Sequence, residues 1–273
     1  MTSEQSAQTR PAPPARVQVL MARSAQTAVV IRRGPSRKTA LIGWDRKRDK
    51  FAVGQWFNGR IDERRSDLSP DGQFLIYFAI TGKWGTESKG AYTAISRAPY
   101  LKAETLLAKG DTWHGGGLFV SNCEYWLNDG YGHKVVRDQS RARRTKSYPW
   151  HEFPPIGQTT LYEVRLQMDG WKRLNPGWVD RGGIVYFEKP VGLRWMLRKR
   201  VTSSRERHEL VHPGTGRTIA LPEWTWADVD GKRLVWIDAG RLYAGSVDSG
   251  GLQDVRLLQD FNPYQFEPLA APY

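Results

Sequence analysis

Short runs of apolar and β-branched residues, separated by polar turns, recur along most of the chain. The turns contain residues that favour backbone reversal, such as Gly34-Pro35-Ser36 and the charged segment 45–50. Strands of this length at regular spacing, bounded by turn residues, are typical of all-β folds. The clearest runs are residues 28–33, 39–44, 51–57, 74–80, 91–96 and 105–108.

One of these runs belongs to a longer motif that returns twice. An acidic residue, a glycine-containing turn and an apolar run occupy residues 67–78, and shorter versions occupy residues 180–187 and 228–236. The acidic residues of the last two copies, Asp180 and Asp228, lie 48 positions apart. A period of roughly 40–50 residues built from short strands is typical of propeller blades, which bury both faces only when neighbouring copies stack. The sequence therefore predicts an all-β fold, a single β-propeller with five blades of about four antiparallel strands.

The last three predicted blades are less regular than the first two. Residues 129–155 have little periodicity and predict a basic loop inserted within the third blade. Residues 266–268 or residues 17–20 are the candidates for the strand that joins the last blade to the first. The third blade begins at Trp113 and uses residues 117–121, 124–127 and 161–167 as strands, and the fourth and fifth blades begin near Trp178 and Trp226.

The string Ser69-Pro70-Asp71-Gly72, followed by an apolar strand, resembles the repeat of the TolB-type and related WD-like β-propellers. In that repeat the Pro-Asp-Gly turn links the innermost strand of a blade to the next strand. The resemblance implies a propeller architecture across residues 17–271 and no particular function. The TolB family is periplasmic, and residues 1–16 lack the apolar core of a secretory signal, so that role is not carried over to this chain.

The chain is predicted to have a short tail and one domain. Residues 1–16 are rich in Ser, Gln, Pro and Ala and predict a disordered tail, and residues 17–273 predict the propeller domain. No apolar run approaches the roughly 20 residues that a membrane-spanning helix needs, so we expect no membrane insertion. Cys123 is the single cysteine, which fits a reducing compartment. Together these features predict a cytoplasmic protein.

The chain has a formal net charge of +13, and the charge is unevenly distributed. Residues 134–150 have a net charge of +5 and residues 189–207 have +6, whereas residues 221–273 have −4. Such asymmetry can steer an anionic partner, such as nucleic acid, toward one part of a surface. The alternative interpretation is that the basic residues keep exposed strand faces soluble. The candidate contacts for an anionic partner in the first segment are Arg141, Arg143, Arg144 and Lys146.

Two strings match catalytic motifs but lie in an unsuitable context. The string 208–212 reads His-Glu-x-x-His, a zinc motif that needs a helix to bring both imidazoles to one metal. Pro213 and Gly214 follow at once, and residues 216–221 predict the return strand of a hairpin, in which residues four apart are separated by about 13 Å. The string His114-Gly115-Gly116-Gly117 resembles an esterase oxyanion-hole motif, but the chain has no Gly-x-Ser-x-Gly nucleophile. We therefore predict no metal site, no cofactor and no catalytic residue.

The candidate binding residues lie at the starts of predicted blades. Tryptophan rings either fill the wedge between adjacent sheets or stack on a ligand. Aspartates that recur in register either contact a ligand or serve a turn that is repeated in each blade. Both interpretations stay open at this point. The candidates are Trp113, His114, Trp178, Asp180, Trp226 and Asp228.

Three functions are compatible with these features. The repeats without a singular catalytic set favour a non-catalytic propeller that binds a protein or a small ligand at its axial face. The enzymatic alternative is a five-bladed glycoside hydrolase, which needs two carboxyl groups about 5–9.5 Å apart; Glu124, Glu152 and Glu163 are the non-repeating candidates. The third alternative is association with nucleic acid through the basic segments 134–150 and 189–207.

Overall fold

Five β-sheets follow one another along the chain, and most of them are built from consecutive strands. The computed structural model describes residues 12–34, 37–148, 150, 157–175 and 183–273. Within those residues there are 21 β-strands and one α-helix, so the predicted all-β class is confirmed. The candidates Trp178 and Asp180 lie outside the described residues, as do Glu152 and residues 1–11 of the predicted tail.

The first two sheets contain the strands that the apolar runs predict. Sheet 1 has the order β1 (Arg16–Met21), β2 (Thr27–Arg33), β3 (Lys38–Asp45) and β4 (Lys50–Asn58). Sheet 2 has the order β11-β8-β7-β6-β5, formed by β5 (Arg60–Leu68), β6 (Phe74–Ile80), β7 (Ala91–Arg97), β8 (Ala103–Ala108) and β11 (Lys134–Asp138).

The other three sheets follow the same plan, with one parallel pair. Sheet 3 has the order β12-β10-β9, formed by β9 (Gly117–Phe119), β10 (Glu124–Leu127) and β12 (Arg143–Thr145). The pair β10 and β12 is parallel, and the other pairings of described strands are antiparallel. After α1 (Gly157–Met168), sheet 4 contains β13 (Lys172–Arg173), β14 (Val185–Val191), β15 (Trp195–Val201), β16 (Glu206–Val211) and β17 (Thr218–Leu221), in that order. Sheet 5 contains β18 (Trp224–Asp230), β19 (Arg233–Asp238), β20 (Arg241–Asp248) and β21 (Gly251–Asp260), in that order.

The central strands bury side chains on both faces of their sheet. Strand β6 reads Phe-Leu-Ile-Tyr-Phe-Ala-Ile and is buried along almost its whole length. Successive side chains of a strand point to opposite faces. Leu75 and Tyr77 accordingly join a cluster with sheet 1, whereas Phe74 and Ile76 join a cluster with sheet 3. Sheet 2 is therefore covered on both sides.

In the other central strands, neighbouring residues likewise pack against different sheets. In β3, Ile42 packs in a cluster with sheet 5, and Leu41 packs with sheet 2. In β19, Val235 packs with sheet 1, and Leu234 packs in a cluster with sheet 4. Hydrophobic contacts thus join sheet 1 to sheet 2, sheet 2 to sheet 3, sheet 4 to sheet 5, and sheet 5 back to sheet 1.

Helix α1 occupies the position between sheets 3 and 4. Leu161 and Val164 pack with sheet 3, and Tyr162 and Leu166 pack with sheet 4. The prediction of a strand at residues 161–167 is therefore wrong. Apolar residues spaced three and four apart lie on common faces of a helix, and the Leu, Glu, Arg, Gln and Met of this segment favour helix. The helix has 12 residues, and no helix among the described residues is long and apolar enough to cross a membrane.

The segment predicted as a basic loop contains two of the strands. Strand β11 extends sheet 2 by pairing with β8. Strand β12 pairs with β10 at the edge of sheet 3. Residues 149 and 151–155 of this segment lie outside the described residues. The described part of the segment is thus attached to two neighbouring sheets.

Neither terminal segment pairs with the sheet at the other end of the chain. Residues 17–20 lie in β1, which pairs with β2, and residues 266–268 are not in a strand. The chain after β21 instead packs across sheet 1. The ring of Phe261 is fully buried 5.7 Å from that of Phe51, and the side-chain amide of Gln55 donates to the carbonyl of Leu269 at 2.9 Å.

Removal of the Phe261 ring tests whether this segment holds sheets 1 and 5 together. Truncation of a fully buried phenylalanine costs about 3–5 kcal/mol, so we expect Phe261→Ala to lower the free energy of unfolding by that amount in urea titrations. The matched control is Phe266→Ala, because Phe266 lies on the same segment and is 47% exposed. Equal and small losses for the two variants would contradict a structural role for this contact.

Candidate functional site

A charged cavity of about 380 Å³ lies where sheets 1, 4 and 5 meet helix α1. Its wall is formed by β1 and the turn that follows it, by α1, and by parts of β14, β15 and β18. The volume is in the range of small-molecule sites. The charged residues that line it are Arg23, Arg46, Arg165, Lys189, Lys199, Asp169, Asp228 and Asp230.

Arg23 connects several units at this cavity. Its guanidinium donates to both carboxylate oxygens of Asp67, with Nη2 2.9 Å from Oδ2 and Nη1 3.1 Å from Oδ1. It also donates to the carbonyl of Phe119 at 3.0 Å, and its Nη1 lies 3.5 Å from Oδ1 of Asp169. Because these partners come from β5, β9 and the turn after α1, one side chain joins sheets 1, 2 and 3 to the helix.

Asp228 has a comparable set of partners on the opposite side. Its Oδ1 accepts hydrogen bonds from Nζ of Lys189 at 2.8 Å and from the backbone N–H of Val229 at 2.7 Å. Its Oδ2 accepts from the indole N–H of Trp171 at 3.3 Å. Asp67 likewise accepts from the next backbone N–H, at Leu68, and from a basic side chain of another sheet. The two described copies of the repeated aspartate therefore join their own strand to a neighbouring unit.

Asp169 is the unusual acid of this cavity. Its Oδ1 atom is buried and accepts no hydrogen bond from a described residue, although Nη1 of Arg23 lies 3.5 Å away. Burial raises the pKa of Asp169 to about 7, the nearby Arg23 opposes this shift, and the negative charge of Asp67 adds to it. A carboxyl group with this pKa changes protonation near neutral pH.

Arg165 lies next to Asp169 and supports the same wall. Its Nη1 donates to the backbone carbonyls of Glu63, at 2.7 Å, and Ser66. Its Nε lies 4.0 Å from Oδ2 of Asp169 and has no hydrogen-bond partner in the described part of the chain. One N–H of Arg165 and one oxygen of Asp169 thus lie at the cavity without a hydrogen bond from a described residue, although the two groups form a long ion pair.

A buried ion pair lies behind the cavity wall. Nζ of Lys199 is 3.2 Å from Oε2 of Glu206 and 4.7 Å from the centre of the Trp171 ring. Burial alone would raise the pKa of Glu206, but Lys199 and Arg64 outweigh it and hold the pKa at about 2. Glu206 therefore stays ionised near neutral pH and compensates the charge of Lys199.

The sequence candidates are distributed over different places. Trp226 and Asp228 line the cavity, and Trp226 is buried in the cluster between sheets 5 and 1. Trp113 is 68% exposed, and His114 packs against the ring of Tyr131 at 5.2 Å; neither of them lines the cavity. Of the described candidates, only Trp226 and Asp228 are brought together here, and the binding roles of all of them stay predictions.

The basic candidates of the segment 134–150 lie at the edge of sheet 3. Arg144 donates to Oδ2 of Asp129 at 2.6 Å, and Arg143 donates to the carbonyl of Ser140. Arg141 and Lys146 are exposed. Half of this group is thus already engaged by neighbouring oxygen atoms.

The His-Glu-x-x-His string lies on a strand and not on a helix, as predicted. His208 is in β16, which forms a hairpin with β17, and His212 follows the end of β16. The ring N–H at Nδ1 of His208 donates to the carbonyl of Trp224 at 3.1 Å, whereas His212 packs on Trp195. Burial and the positive charge of Lys199 lower the pKa of His208 to about 4. His208 is therefore a neutral core residue near pH 7.

The acids proposed for glycoside hydrolysis do not meet in the described structure. Glu124 is exposed on β10. Glu163 is buried on α1, with its Oε2 3.3 Å from Nε of Arg173. Neither lines the charged cavity, whose carboxylates are Asp169, Asp228 and Asp230.

Sequence reasoning did not identify Asp169. The residue is followed by Gly170, and the Asp-Gly pair after an apolar run was interpreted as an ordinary polar turn. Its properties come from Arg23, Asp67 and Asp228, which are distant in sequence. The sequence signal that was available is the singular position of Asp169, because it does not recur in the repeated motif.

No protein-family model matches this chain, and no curated protein sequence matches it. Function is therefore inferred from the site itself.

The raised pKa of Asp169 predicts a pH effect on stability. Because the folded pKa of about 7 lies above the pKa of about 4 of an unfolded aspartate, the contribution of this group is fully present below about pH 4 and is lost progressively as pH rises to about 7. Asn has the same shape and stays neutral. We expect the stability of Asp169→Asn relative to the wild type to be greater at about pH 8 than at about pH 5, by about 2 kcal/mol.

Urea unfolding of both proteins at the two pH values measures this difference. Groups common to both proteins, such as His208 and Glu206, cancel in the comparison. The control is Asp254→Asn, an exposed aspartate on β21, for which the difference should not depend on pH. A pH-independent difference for Asp169→Asn would contradict the raised pKa.

Proposed function

We propose that the protein is a closed five-bladed β-propeller that binds a small anion in the cavity around Asp169. The sequence of hydrophobic clusters that runs from sheet 1 through sheet 3, α1 and sheet 4 to sheet 5, and then back to sheet 1, supports the closed ring. In this arrangement α1 covers the side of sheet 3 that faces sheet 4. The charged cavity then lies near the axis at one end of the ring.

The charge of the cavity supports an anionic ligand. Five basic side chains line it against three carboxyl groups, and two of the five, Arg23 and Lys199, are ion-paired with Asp67 and Glu206 outside the lining. Protonation of Asp169, which is about half complete at neutral pH, therefore gives the cavity a positive balance. Preorganised cations in a partly enclosed site attract an anion more strongly than exposed ones, because water screens them less.

The volume limits what can enter. A space of about 380 Å³ fits a small molecule and excludes a folded partner. A protonated Asp169 can donate its O–H to an oxygen of the anion, and Nε of Arg165 offers a second donor beside it. The observation that carries this proposal is the buried Oδ1 of Asp169, which lies at the cavity between Arg23 and Arg165 without a hydrogen bond from a described residue.

Calorimetric titration with tartrate and with sulfate tests the proposal, because the charge of both anions is constant between about pH 6 and pH 8. If the protonated form of Asp169 binds, the apparent affinity falls roughly tenfold between these pH values, in proportion to the protonated fraction. Asp169→Asn mimics the protonated form, so its affinity should not depend on pH and should match that of the wild type at pH 6.

Two controls accompany this titration. Asp254→Asn should bind with the same pH dependence as the wild type, and glucose, which is neutral, should not bind. Absence of saturable binding of either anion, or an unchanged pH dependence in Asp169→Asn, would contradict the proposed function.

A second candidate function is acid–base hydrolysis in the same cavity. It is favoured by the contrast between Asp169, which retains a proton near pH 7, and Asp228, which is ion-paired with Lys189 at 2.8 Å. Carboxyl groups whose environments differ in this way supply the acid and the base of glycosidases.

Release of monosaccharide from disaccharides, whose sugar leaving group must be protonated, distinguishes hydrolysis from binding alone. For an enzyme we expect turnover that declines above pH 7 and that falls by about 100-fold or more in Asp169→Asn, because the general acid is lost. Turnover that is absent, or equal in wild type and variant, would eliminate this candidate and leave the binding function untouched.

A further inference from the structure

A basic groove crosses the junction of sheets 1, 4 and 5, apart from the charged cavity. It consists of two adjoining cavities of about 680 Å³ and about 620 Å³, which share Arg207 and Pro222 in their walls. The first cavity lies on sheet 4, and the second extends to β1 and β2 of sheet 1. The groove and the charged cavity have no lining residue in common. Glu206 lines the groove and is also the buried partner of Lys199, which lines the cavity.

The arrangement of charges on sheet 4 is unusual. Arg200 of β15 lies directly opposite Arg207 of β16, and Tyr186 of β14 lies opposite Arg200 on the other side. Cross-strand neighbours have Cβ atoms about 4.5–5.5 Å apart, so two like charges placed there destabilise the sheet. Among the described residues, no carboxylate lies within ion-pairing distance of either arginine.

In the neighbouring row of the same sheet, an arginine is paired with acids on both sides. Arg198 of β15 lies between Glu188 and Glu209 on the flanking strands. Its guanidinium is 2.7 Å from Glu188 and 3.1 Å from Glu209. Two residues further along β15, Arg200 lies between Tyr186 and Arg207 and not between two glutamates. In the row that contains Tyr186, the two arginines therefore face each other without an ion pair to a described residue.

A second pair of opposed arginines lines the other half of the groove. Arg16 of β1 lies directly opposite Arg33 of β2. Arg33 has a distant partner, with Nη2 3.8 Å from Glu63, whereas Arg16 and Arg205 have no ion pair within the described ranges. Two like-charged pairs on different sheets thus face one groove. An anion with several charges along its length would relieve the repulsion in both.

The remaining lining of the groove contains flat and apolar surface. Tyr186, Leu174, Leu221 and Pro222 line the first cavity together with the arginines. Nucleic-acid bases stack on such surfaces, while guanidinium groups bind phosphates through paired hydrogen bonds. A single strand can place an unpaired base and its phosphates on this surface together, whereas the bases of a duplex are paired and stacked on one another. We propose that this groove binds single-stranded nucleic acid, with phosphates at the opposed arginines and a base against Tyr186.

Fluorescence anisotropy with labelled oligonucleotides of about 12 residues, in deoxythymidine and in uridine form, tests the proposal. Single-strand binding by Z phosphate contacts gives a slope of about −0.7Z for log K against log salt concentration. With Arg16, Arg200, Arg205 and Arg207 as contacts, we expect a slope of about −3 between about 50 and 200 mM KCl. Comparison of the two oligonucleotides shows whether the sugar contributes.

The decisive variant is the double substitution Arg200→Met and Arg207→Met. It removes two phosphate contacts, so the salt slope should become shallower by about 1.4 and the affinity at low salt should fall at least tenfold. Because the substitution also removes a like-charge pair, the thermal stability should stay the same or rise. A retained melting transition shows that a loss of binding does not come from unfolding.

The matched control is the double substitution Arg141→Met and Lys146→Met, which removes the same charge from the edge of sheet 3. It should bind as the wild type does. Equal loss in both double variants would show non-specific attraction by net charge and would overturn the proposal. Equal affinity for a duplex or for a poly-glutamate peptide, or no binding at about 50 mM KCl, would also overturn it.

Discussion

Each central sheet of this protein has two apolar faces, and exposure of either face to water costs about 25 cal/mol for every Å² of apolar surface. An antiparallel sheet with one wet face alternates apolar and polar residues. Strand β6 does not alternate, and its odd and even positions join two different clusters. A neighbour is therefore needed on each side of every such sheet. Where sheet 3 provides only three short strands, α1 supplies the missing cover with Leu161 and Val164.

This packing brings charged side chains of different sheets close to one another. Arg23 reaches Asp67, and Lys189 reaches Asp228, each across a boundary between units. Desolvation offsets much of the attraction in such pairs, so they add little net stability, but loss of one partner would leave a charge without compensation. Asp169 lies between these two pairs. Its high pKa follows from burial and from the two carboxylates that are already present, since a third negative charge there is unfavourable.

Local sequence predicted those elements whose shape is decided locally. The turn before β6 and the hairpin of β18 and β19 follow from an aspartate, a glycine and an apolar run. The local residues of α1 do not by themselves separate helix from strand, because its Leu161-Tyr162 pair is matched by the Leu242-Tyr243 pair of strand β20. Asp169 was missed for a different reason. Its character depends on residues that meet it only in the folded chain, and a single sequence has no record of that proximity. Trp113 is exposed, and its predicted binding role stays a prediction.

The net charge of +13 does not by itself indicate where an anion binds, because many of the cations are paired with acids or carbonyls. At the charged cavity the cations have carboxylates or carbonyls as partners, and the protonation of one acid adjusts the balance. In the groove, Arg200 and Arg207 lie opposite each other, and no carboxylate of the described residues forms an ion pair with either of them. Salt screens the exposed groove within about 10 Å, whereas it penetrates the enclosed cavity poorly. We therefore expect anion binding in the cavity to depend on pH and binding in the groove to depend on ionic strength. The same excess of basic residues supplies the positive charge of both surfaces.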